Sequence, residues 1–89
     1  LAQNYPNPFN PSTKIEFSVP QRANIKLDIF NILGKNVQTV VDNNMDPGFY
    51  KFNVSMDGIS SGMYFYRITA VDQGGNMIYN QMRKMILMR

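Results

Sequence analysis

Apolar and polar residues alternate with a period of two along most of this chain, and the spacing typical of amphipathic helices is almost absent. The alternation is clearest over residues 14–19, 25–29 and 50–56. It places every second side chain on one face of a strand, as in antiparallel sheets that cover a core with one face. Turn signals such as Pro47-Gly48 and the stretch 73–76 separate the runs. Six or seven short strands at this spacing predict an all-β fold, a small Ig-like antiparallel β-sandwich of about seven strands.

The N-terminal stretch, residues 1–13, is predicted to be a rigid loop. Its three prolines lack backbone N–H donors, so the stretch cannot lie inside a sheet or a helix. Its two large apolar side chains, Tyr5 and Phe9, are predicted to pin the loop onto a core. We therefore divide the chain into an N-terminal loop, 1–13, and a β-sandwich, 14–88, within one small domain of 89 residues. The signature residues of the loop are Tyr5, Pro6, Asn7, Pro8, Phe9, Asn10 and Pro11.

The segment from Ser60 to Tyr66 has a spacing typical of immunoglobulin-like folds. Such folds often place a tyrosine two positions before an inward core residue, with the tyrosine hydroxyl bonded to upstream backbone. Tyr64 is the candidate for that tyrosine, and Tyr66 is the core residue. The side chains predicted to face the core are Tyr64, Tyr66, Ile68 and Ala70. Those predicted to face outward or to lie under a loop are Met63, Phe65 and Arg67.

The composition excludes several kinds of chemistry. The chain has no His and no Cys, which removes the commonest general base, the commonest transition-metal ligand, any thiolate and any disulfide. Its six acidic residues are spread singly over predicted strands and turns, where Asp commonly closes loops. Asp42, Asn44 and Asp46 imitate the first half of a calcium loop, but Pro47 and Asn53 stand where that loop needs Gly and Glu. We therefore predict no enzyme activity, no cofactor and no metal site.

The charge and hydropathy of the chain also limit its partners. The net charge is +3 with a pI near 9.4, but the basic residues are scattered and concentrate only at the C-terminal end. This distribution favours a solvated surface over a nucleic-acid site. No apolar run approaches the roughly 20 residues that a membrane helix needs. We predict no nucleic-acid partner and no membrane insertion.

The stretch 77–88 is predicted to be the last strand, and its apolar phase shifts near Met82. A bulge or a change of sheet at that position would explain the shift. Methionine fills irregular gaps in a small core and also makes adaptable binding surfaces, and we favour core filling for the methionines that cluster here, namely Met77, Met82, Met85 and Met88. Two interpretations of residues 83–89 stay open: an edge strand guarded by basic residues, or a docking strand that adds to a partner's sheet. An exposed edge strand would also permit a weak homodimer.

Five segments carry a recognisable pattern in a fixed order: Leu1–Ile15, Leu27–Gly34, Gly48–Tyr50, Ser61–Arg67 and Lys84–Arg89. Together they resemble the C-terminal sorting domains of type IX secretion cargo, the type A sorting-domain family of Bacteroidetes-like bacteria. The resemblance covers essentially the whole chain, and its first and fourth segments are highly specific. It implies a small seven-stranded sandwich at the end of a large secreted protein. Because residue 1 is Leu rather than Met, we also expect the chain to be a piece of a longer protein.

The resemblance further implies a pathway and a set of partners. An outer-membrane secretion receptor would recognise the domain, an upstream cargo domain would travel with it, and a surface sortase would usually remove it. The protein would cross the periplasm and reach the cell surface or the medium. By motif position, the residues carried over from the family are Gly48, Tyr50, Gly62, Tyr64, Lys84 and Arg89. The glycines would preserve the fold and the tyrosines the core packing, while Lys84 and Arg89 are the candidates for recognition.

Two other functions remain open at this point. The first is a structural Ig-like spacer of the kind found in flagellar hook-capping proteins, which share a related proline–asparagine opening. The second is a carbohydrate-binding module that uses Phe49, Phe65 or Tyr79 as an exposed stacking platform. A spacer should tolerate C-terminal truncation that leaves the core intact, and a carbohydrate-binding module should bind glycans in a titration.

Overall fold

The computed structural model describes residues 1–88, and these residues form six β-strands and no helix. The strands are β1 (Ser12–Val19), β2 (Ala23–Phe30), β3 (Asn36–Met45), β4 (Gly48–Ser55), β5 (Gly62–Val71) and β6 (Met77–Leu87). One sheet has two strands in the order β1-β4, and the other has four in the order β3-β2-β5-β6; every pairing is antiparallel. The predicted all-β antiparallel sandwich is thus confirmed, with six strands in the described residues rather than about seven.

Strand β1 shows how the alternating sequence becomes a covered sheet. Its side chains alternate strictly between exposed and buried, and Ile15 and Phe17 point into the space between the two sheets. Across the pair, Ile15 lies opposite Phe52 and Phe17 opposite Tyr50. The Phe17 ring stacks on both neighbours, with centroids 5.7 Å from Tyr50 and 5.8 Å from Phe52. Such aromatic pairs each add about 0.5–1.5 kcal/mol to the gain from burial.

The core is one cluster of buried apolar side chains contributed by both sheets and by the N-terminal loop. Tyr66 is its largest fully buried side chain, and Tyr64, Ile68 and Ala70 of the same strand are buried beside it, as the sequence predicts. Each fully buried aliphatic or aromatic side chain contributes roughly 1.5–3 kcal/mol. The other buried apolar residues are Phe9, Ile15, Phe17, Val19, Ala23, Ile25, Leu27, Ile29, Val54, Met56, Met85 and Leu87.

Strand β3 is longer than the short strand of ambiguous phase that the sequence predicts. The sequence suggests a short strand over 37–41 followed by a polar loop, whereas the strand continues to Met45, which pairs with Ala23. The polar residues 42–44 stay in the strand because β3 is an edge strand whose side chains are mostly solvated. Two register shifts leave Val37 and Val40 without partners on β2. Because of these bulges, both odd- and even-numbered valines pack against the core, namely Val37, Val40 and Val41. The sequence of this strand therefore shows no clear period-two alternation.

Strand β6 is the opposite edge of the four-stranded sheet, and its bulge lies earlier than predicted. The register is regular through Met82, which pairs with Arg67, and it shifts at Ile78, between the pairs Ala70–Tyr79 and Val71–Met77. The prediction of an irregularity near Met82 is therefore wrong. Met82 is simply an apolar residue on the outer face of the sheet. Core filling holds only for Met85, since the exposed methionines of this strand and its end are Met77, Met82 and Met88.

Candidate recognition site at the C-terminal strand

We call residues 1–11 the strap. Its first half bonds to the free edge of β1, and its second half bonds to the edge of β6. The backbone N–H of Ala2 donates to the carbonyl of Glu16 at 2.9 Å. Further on, Tyr5 and Lys14 exchange two backbone hydrogen bonds of 3.0 and 2.9 Å, which forms an antiparallel bridge. The first half of the strap therefore continues the two-stranded sheet by one partial strand.

The second half of the strap crosses to the four-stranded sheet and bonds to the edge of β6. The N–H of Phe9 donates to the carbonyl of Ile86 at 3.0 Å, and the N–H of Met88 donates to the carbonyl of Phe9 at 2.9 Å. Between them, the N–H of Ile86 donates to Oδ1 of Asn7 at 2.9 Å. The backbone N–H and carbonyl of Ile86 on the free edge of the C-terminal segment, residues 84–88, are thus already hydrogen-bonded. A partner strand could add here only after the strap had left.

The two aromatic residues of the strap have opposite environments. Phe9 is 2% exposed and lies in the core, as predicted, whereas Tyr5 is 78% exposed and is not pinned to it. Each of the three proline peptide bonds of the strap is cis. Pro11 marks the end of the strap, and its carbonyl accepts a hydrogen bond of 3.0 Å from the N–H of Met56. The strap is therefore fixed by Phe9 and by its backbone rather than by Tyr5.

Tyr66 fastens the strap from inside the core. Its hydroxyl accepts a hydrogen bond of 2.7 Å from the N–H of Asn4 and donates one of 2.8 Å to the carbonyl of Ala2. Burial of the phenol raises the pKa of Tyr66 above its ordinary value, against smaller opposing effects of Asn4 and Arg83. The bonded form is consequently the neutral phenol at ordinary pH.

A buried polar network supports this clamp, and the sequence analysis missed it. The side-chain amide of Asn4 donates to Oγ1 of Thr13 and to the carbonyl of Pro6, both at 3.0 Å. Thr13 in turn donates to the same carbonyl at 2.8 Å. One signal was available in the sequence. Thr13 is an odd-numbered residue of β1, like the buried Ile15 and Phe17, so its polar side chain points into the core, where it needs a hydrogen-bond partner.

Gly48 and Tyr50, like Gly62 and Tyr64, form matching corners at the starts of β4 and β5. The Tyr64 hydroxyl donates to the carbonyl of Ser60 at 2.6 Å, which confirms the predicted bond to upstream backbone. The Tyr50 hydroxyl makes the same bond to a carbonyl four residues before it, also at 2.6 Å. The two glycines have φ of 156° and 150°, a region that L side chains rarely adopt. These four residues therefore shape the two turns that lead into the strands.

The structure brings only some of the family-signature residues together. Gly62 and Tyr64 pair with Leu87 and Met85, so the β5 corner lies against the C-terminal segment and close to the strap. Gly48 and Tyr50 belong to the other sheet.

Lys84 is an exposed basic residue of the C-terminal segment. Its side chain lies on the outer face of β6 opposite Phe65, while its carbonyl accepts a hydrogen bond of 2.8 Å from Nε2 of Gln3. The backbone of Lys84 is thus held by the strap, and its ammonium group faces solvent. Arg89, the other candidate for recognition, lies outside the described residues.

The three aromatic candidates for a sugar platform lie in different places. Phe49 of β4 is 92% exposed, whereas Phe65 is half-buried on the outer face of the other sheet. Tyr79 is half-buried in β6, its hydroxyl donates to the carbonyl of Ser18 at 3.2 Å, and burial raises the pKa of its phenol. The three rings therefore do not share one surface.

Two of the three ion pairs among the described residues join exposed side chains. Arg22 pairs with Asp46, the last residue of the calcium-like pattern, and Lys51 lies 3.3 Å from Glu16. Asp42 and Asn44 lie in β3 rather than in a loop. Within residues 1–88, no three His, Cys, Asp or Glu side chains are grouped so that they could hold a metal ion. That part of the chain likewise forms no helix long and apolar enough to cross a membrane.

The fold defines a class of small antiparallel β-sandwiches whose N-terminal strap bonds to an edge of each sheet. Residues 3–86 match the sequence model of the family described as the secretion system C-terminal sorting domain. The chain therefore belongs to the family of C-terminal sorting domains of type IX secretion. Membership connects it with the type IX machinery and with export to the cell surface or beyond. A comparison with curated proteins finds no match for this chain.

Proposed function

We propose that residues 1–89 form one non-catalytic sorting domain that directs an upstream cargo through the outer membrane. The observation that supports this proposal is the family match over residues 3–86. In the proposed sequence of events, the domain crosses the periplasm in its folded form and an outer-membrane receptor of the machinery binds it. A surface sortase then separates the domain from its cargo.

The proposed recognition element is the C-terminal segment with its basic residues. Met85 and Leu87 anchor this segment in the core, while Lys84 between β5 and the strap projects into solvent. The strap holds the backbone of the segment in one position. A receptor would therefore meet a fixed arrangement of side chains. We assign contact roles to Lys84 and Arg89.

Gly48, Tyr50, Gly62 and Tyr64 have a supporting role in this proposal. Their corners set the starts of β4 and β5, and the second corner lies directly beside the terminal segment. Substitution of these residues should reduce export only as far as it reduces folding. Substitution of Lys84 should reduce export of a domain that is still folded.

The test is export of a fluorescent protein fused to the N-terminus of residues 1–89, behind a periplasmic signal peptide, in a type IX-competent bacterium. We expect fluorescence at the cell surface or in the medium, and its loss in a strain whose machinery is disrupted. A folded fusion that stays in the periplasm would refute the proposal and favour a structural spacer. A second fusion that includes natural residues upstream of Leu1 controls for a requirement for the junction.

A further inference from the structure

The outer face of the four-stranded sheet is divided into two halves of different chemistry. Cross-strand partners share a face, so the register assigns each outward residue to a row. Toward the β2–β3 turn lies what we call the apolar half, formed by Phe30, Met63, Phe65, Met82 and Ile86. Toward the opposite end lies what we call the polar half, formed by Asn24, Lys26, Asp42, Asn44, Thr69 and Asn80, with Val71 and Met77 in its outermost row. The row of Met82, where the two halves meet, also contains Thr39, Asp28 and Arg67.

The apolar half is one continuous surface. Phe30 lies opposite Phe65, and Met63 lies opposite Ile86 in the next row. Directly opposed side chains on a sheet have Cβ atoms about 4.5–5.5 Å apart, so these residues are in contact range. Met82 is 54% exposed, and the two phenylalanines and Ile86 are half-buried. Ile32 and Leu33 of the β2–β3 turn, separated from Phe30 by Asn31 alone, are exposed apolar residues at the same end of the sheet.

Three positively charged side chains, those of Arg67, Lys84 and Lys35, lie in or beside this apolar half. The guanidinium carbon of Arg67 lies 4.8 Å from the centroid of the Phe30 ring, a cation–π contact. Lys84 stands in the row of the two phenylalanines, opposite Phe65, and Lys35 follows the β2–β3 turn. Among the described residues, none of these three cations lies within 4.0 Å of a carboxylate oxygen.

The polar half, by contrast, is balanced in charge. Lys26 lies 3.9 Å from Asp28 and opposite Asp42. The other oxygen of Asp28 accepts hydrogen bonds from Thr39 and Asn36, so this carboxylate is used within the fold. Asp28 itself stands opposite Arg67, in the row of Met82, but its oxygens contact Lys26, Thr39 and Asn36 rather than Arg67. The cations of this face that have no carboxylate partner among the described residues therefore lie in or beside its exposed apolar area.

We propose that the apolar half is a docking surface for a protein partner that presents apolar side chains together with carboxylates facing Lys84 and Arg67. Exposed apolar patches on small proteins commonly mark interaction sites, and charge complementarity selects an acidic partner. This inference rests on the proposed function: the acidic partner is the surface through which the secretion machinery recognises the sorting domain. It adds that recognition uses the sheet face on both β5 and β6, not the terminal residues alone.

Two other occupants fit the surface less well. A second copy of the chain would set Lys84 and Arg67 against the same cations, which repel each other. A lipid surface is typically bound by clusters of about 4–8 basic residues, whereas the apolar half has three in or beside it, Arg67, Lys84 and Lys35.

The test compares Met82→Glu with Asn80→Glu in the fluorescent export fusion. The two residues lie on the same face of the same edge strand and are both exposed, but one belongs to the apolar half and the other to the polar half. We expect Met82→Glu to lower the ratio of surface to periplasmic fluorescence about tenfold, as loss of an interface anchor does. Asn80→Glu should leave the ratio within about twofold of the unsubstituted fusion. Thermal melts of both purified variants verify folding.

A charge series at Lys84 tests the chemistry of the partner. Lys84→Arg should retain export, Lys84→Met should lower it, and Lys84→Glu should lower it further. Equal export of all three would overturn the requirement for an acidic partner. Equal export of Met82→Glu and Asn80→Glu would overturn the docking surface while leaving the sorting function intact. Failure of the unsubstituted fusion to be exported would refute the proposed function, and the inference with it.

The remaining occupants are tested with purified residues 1–89. Sedimentation should show a monomer, and co-flotation with vesicles of phosphatidylcholine and phosphatidylglycerol should show no binding. A dimer that Met82→Glu dissociates would assign the face to a second copy. Vesicle binding that Met82→Glu abolishes would assign it to a lipid surface. Either result would overturn the proposal of an acidic protein partner.

Discussion

Replacement of Tyr66 by Phe should release the strap while leaving the core packed. The change removes one hydroxyl and keeps the buried ring, so no cavity forms. Two hydrogen bonds are lost, to the N–H of Asn4 and to the carbonyl of Ala2. The two losses are unequal, because Ala2 is exposed and its carbonyl can accept from water, whereas Asn4 is buried. The loss in the free energy of unfolding is therefore set mainly by the N–H of Asn4, which is left buried without an acceptor.

An unsatisfied buried donor costs about 1–3 kcal/mol. For a domain of this size, total stability is about 5–13 kcal/mol, and each 1 kcal/mol moves the melting temperature by roughly 4–8 °C. We therefore expect Tyr66→Phe to lower the free energy of unfolding by about 2 kcal/mol and the melting temperature by roughly 8–16 °C. Urea titration and calorimetry measure the two quantities.

The location of the effect is as diagnostic as its size. Hydrogen exchange should accelerate at the amides of Tyr5 and Phe9, which depend on the strap, more than at amides between β2 and β5. Tyr64→Phe is the matched control, because it removes a hydroxyl from the same strand without touching the strap. The reasoning is refuted if Tyr66→Phe changes stability by less than about 0.5 kcal/mol. It is refuted equally if both variants accelerate strap exchange to the same extent.

Three further measurements test the Tyr66 phenol and two other positions. The raised pKa of Tyr66 means that the folded state holds this proton more tightly than the unfolded one, so the contribution of this group to stability is fully present below about pH 10, the unfolded value, and is lost as the pH rises above it. Urea midpoints measured above that pH should therefore fall less steeply for Tyr66→Phe; Tyr79, whose pKa is also raised, should leave part of the fall in place. Gly62→Ala should cost about 1–3 kcal/mol because its φ of 150° disfavours an L side chain, whereas Ser61→Ala beside it should be nearly neutral in the same urea titration. Phe9→Ala should cost about 3–5 kcal/mol and Tyr5→Ala less than about 0.5 kcal/mol by thermal melting; equal costs would contradict their different burial.

The sequence was sufficient to predict the strands that cover the core with one face. In β1 the alternation of burial follows the alternation of the residues. In β5, which is apolar on both faces, the four residues predicted to face the core are the buried ones, and the corner at Tyr64 has its predicted bond. The prediction failed for β3, where residues 42–44 are exposed on an edge strand and carry no buried phase to detect. A period-two pattern arises when one face of a strand is buried, so it cannot reveal a stretch such as 42–44 in which every side chain is exposed.

The strap could be predicted as rigid, but its partners could not. Proline composition excludes regular structure, yet it does not say which of Tyr5 and Phe9 turns inward. That choice depends on the gap between the two sheets, which forms only when distant strands assemble. The clamp has the same origin, since Asn4 and Tyr66 are 62 residues apart in sequence. Only the polar side chain of Thr13 in the inward phase of β1 pointed to this network.

A partner could bind the C-terminal segment in two ways, by adding a strand to its edge or by contacting its outward side chains. The strap disfavours the first. Addition of a partner strand at Ile86 requires the strap to leave, with loss of the Phe9 burial and of three hydrogen bonds. Burial of one such side chain is worth about 1.5–3 kcal/mol and each bond about 0.5–1.5 kcal/mol, a total of about 3–7 kcal/mol. This penalty would weaken strand addition by roughly 10²–10⁵-fold. Binding to the outward side chains of the apolar half avoids the penalty, because the strap can stay in place.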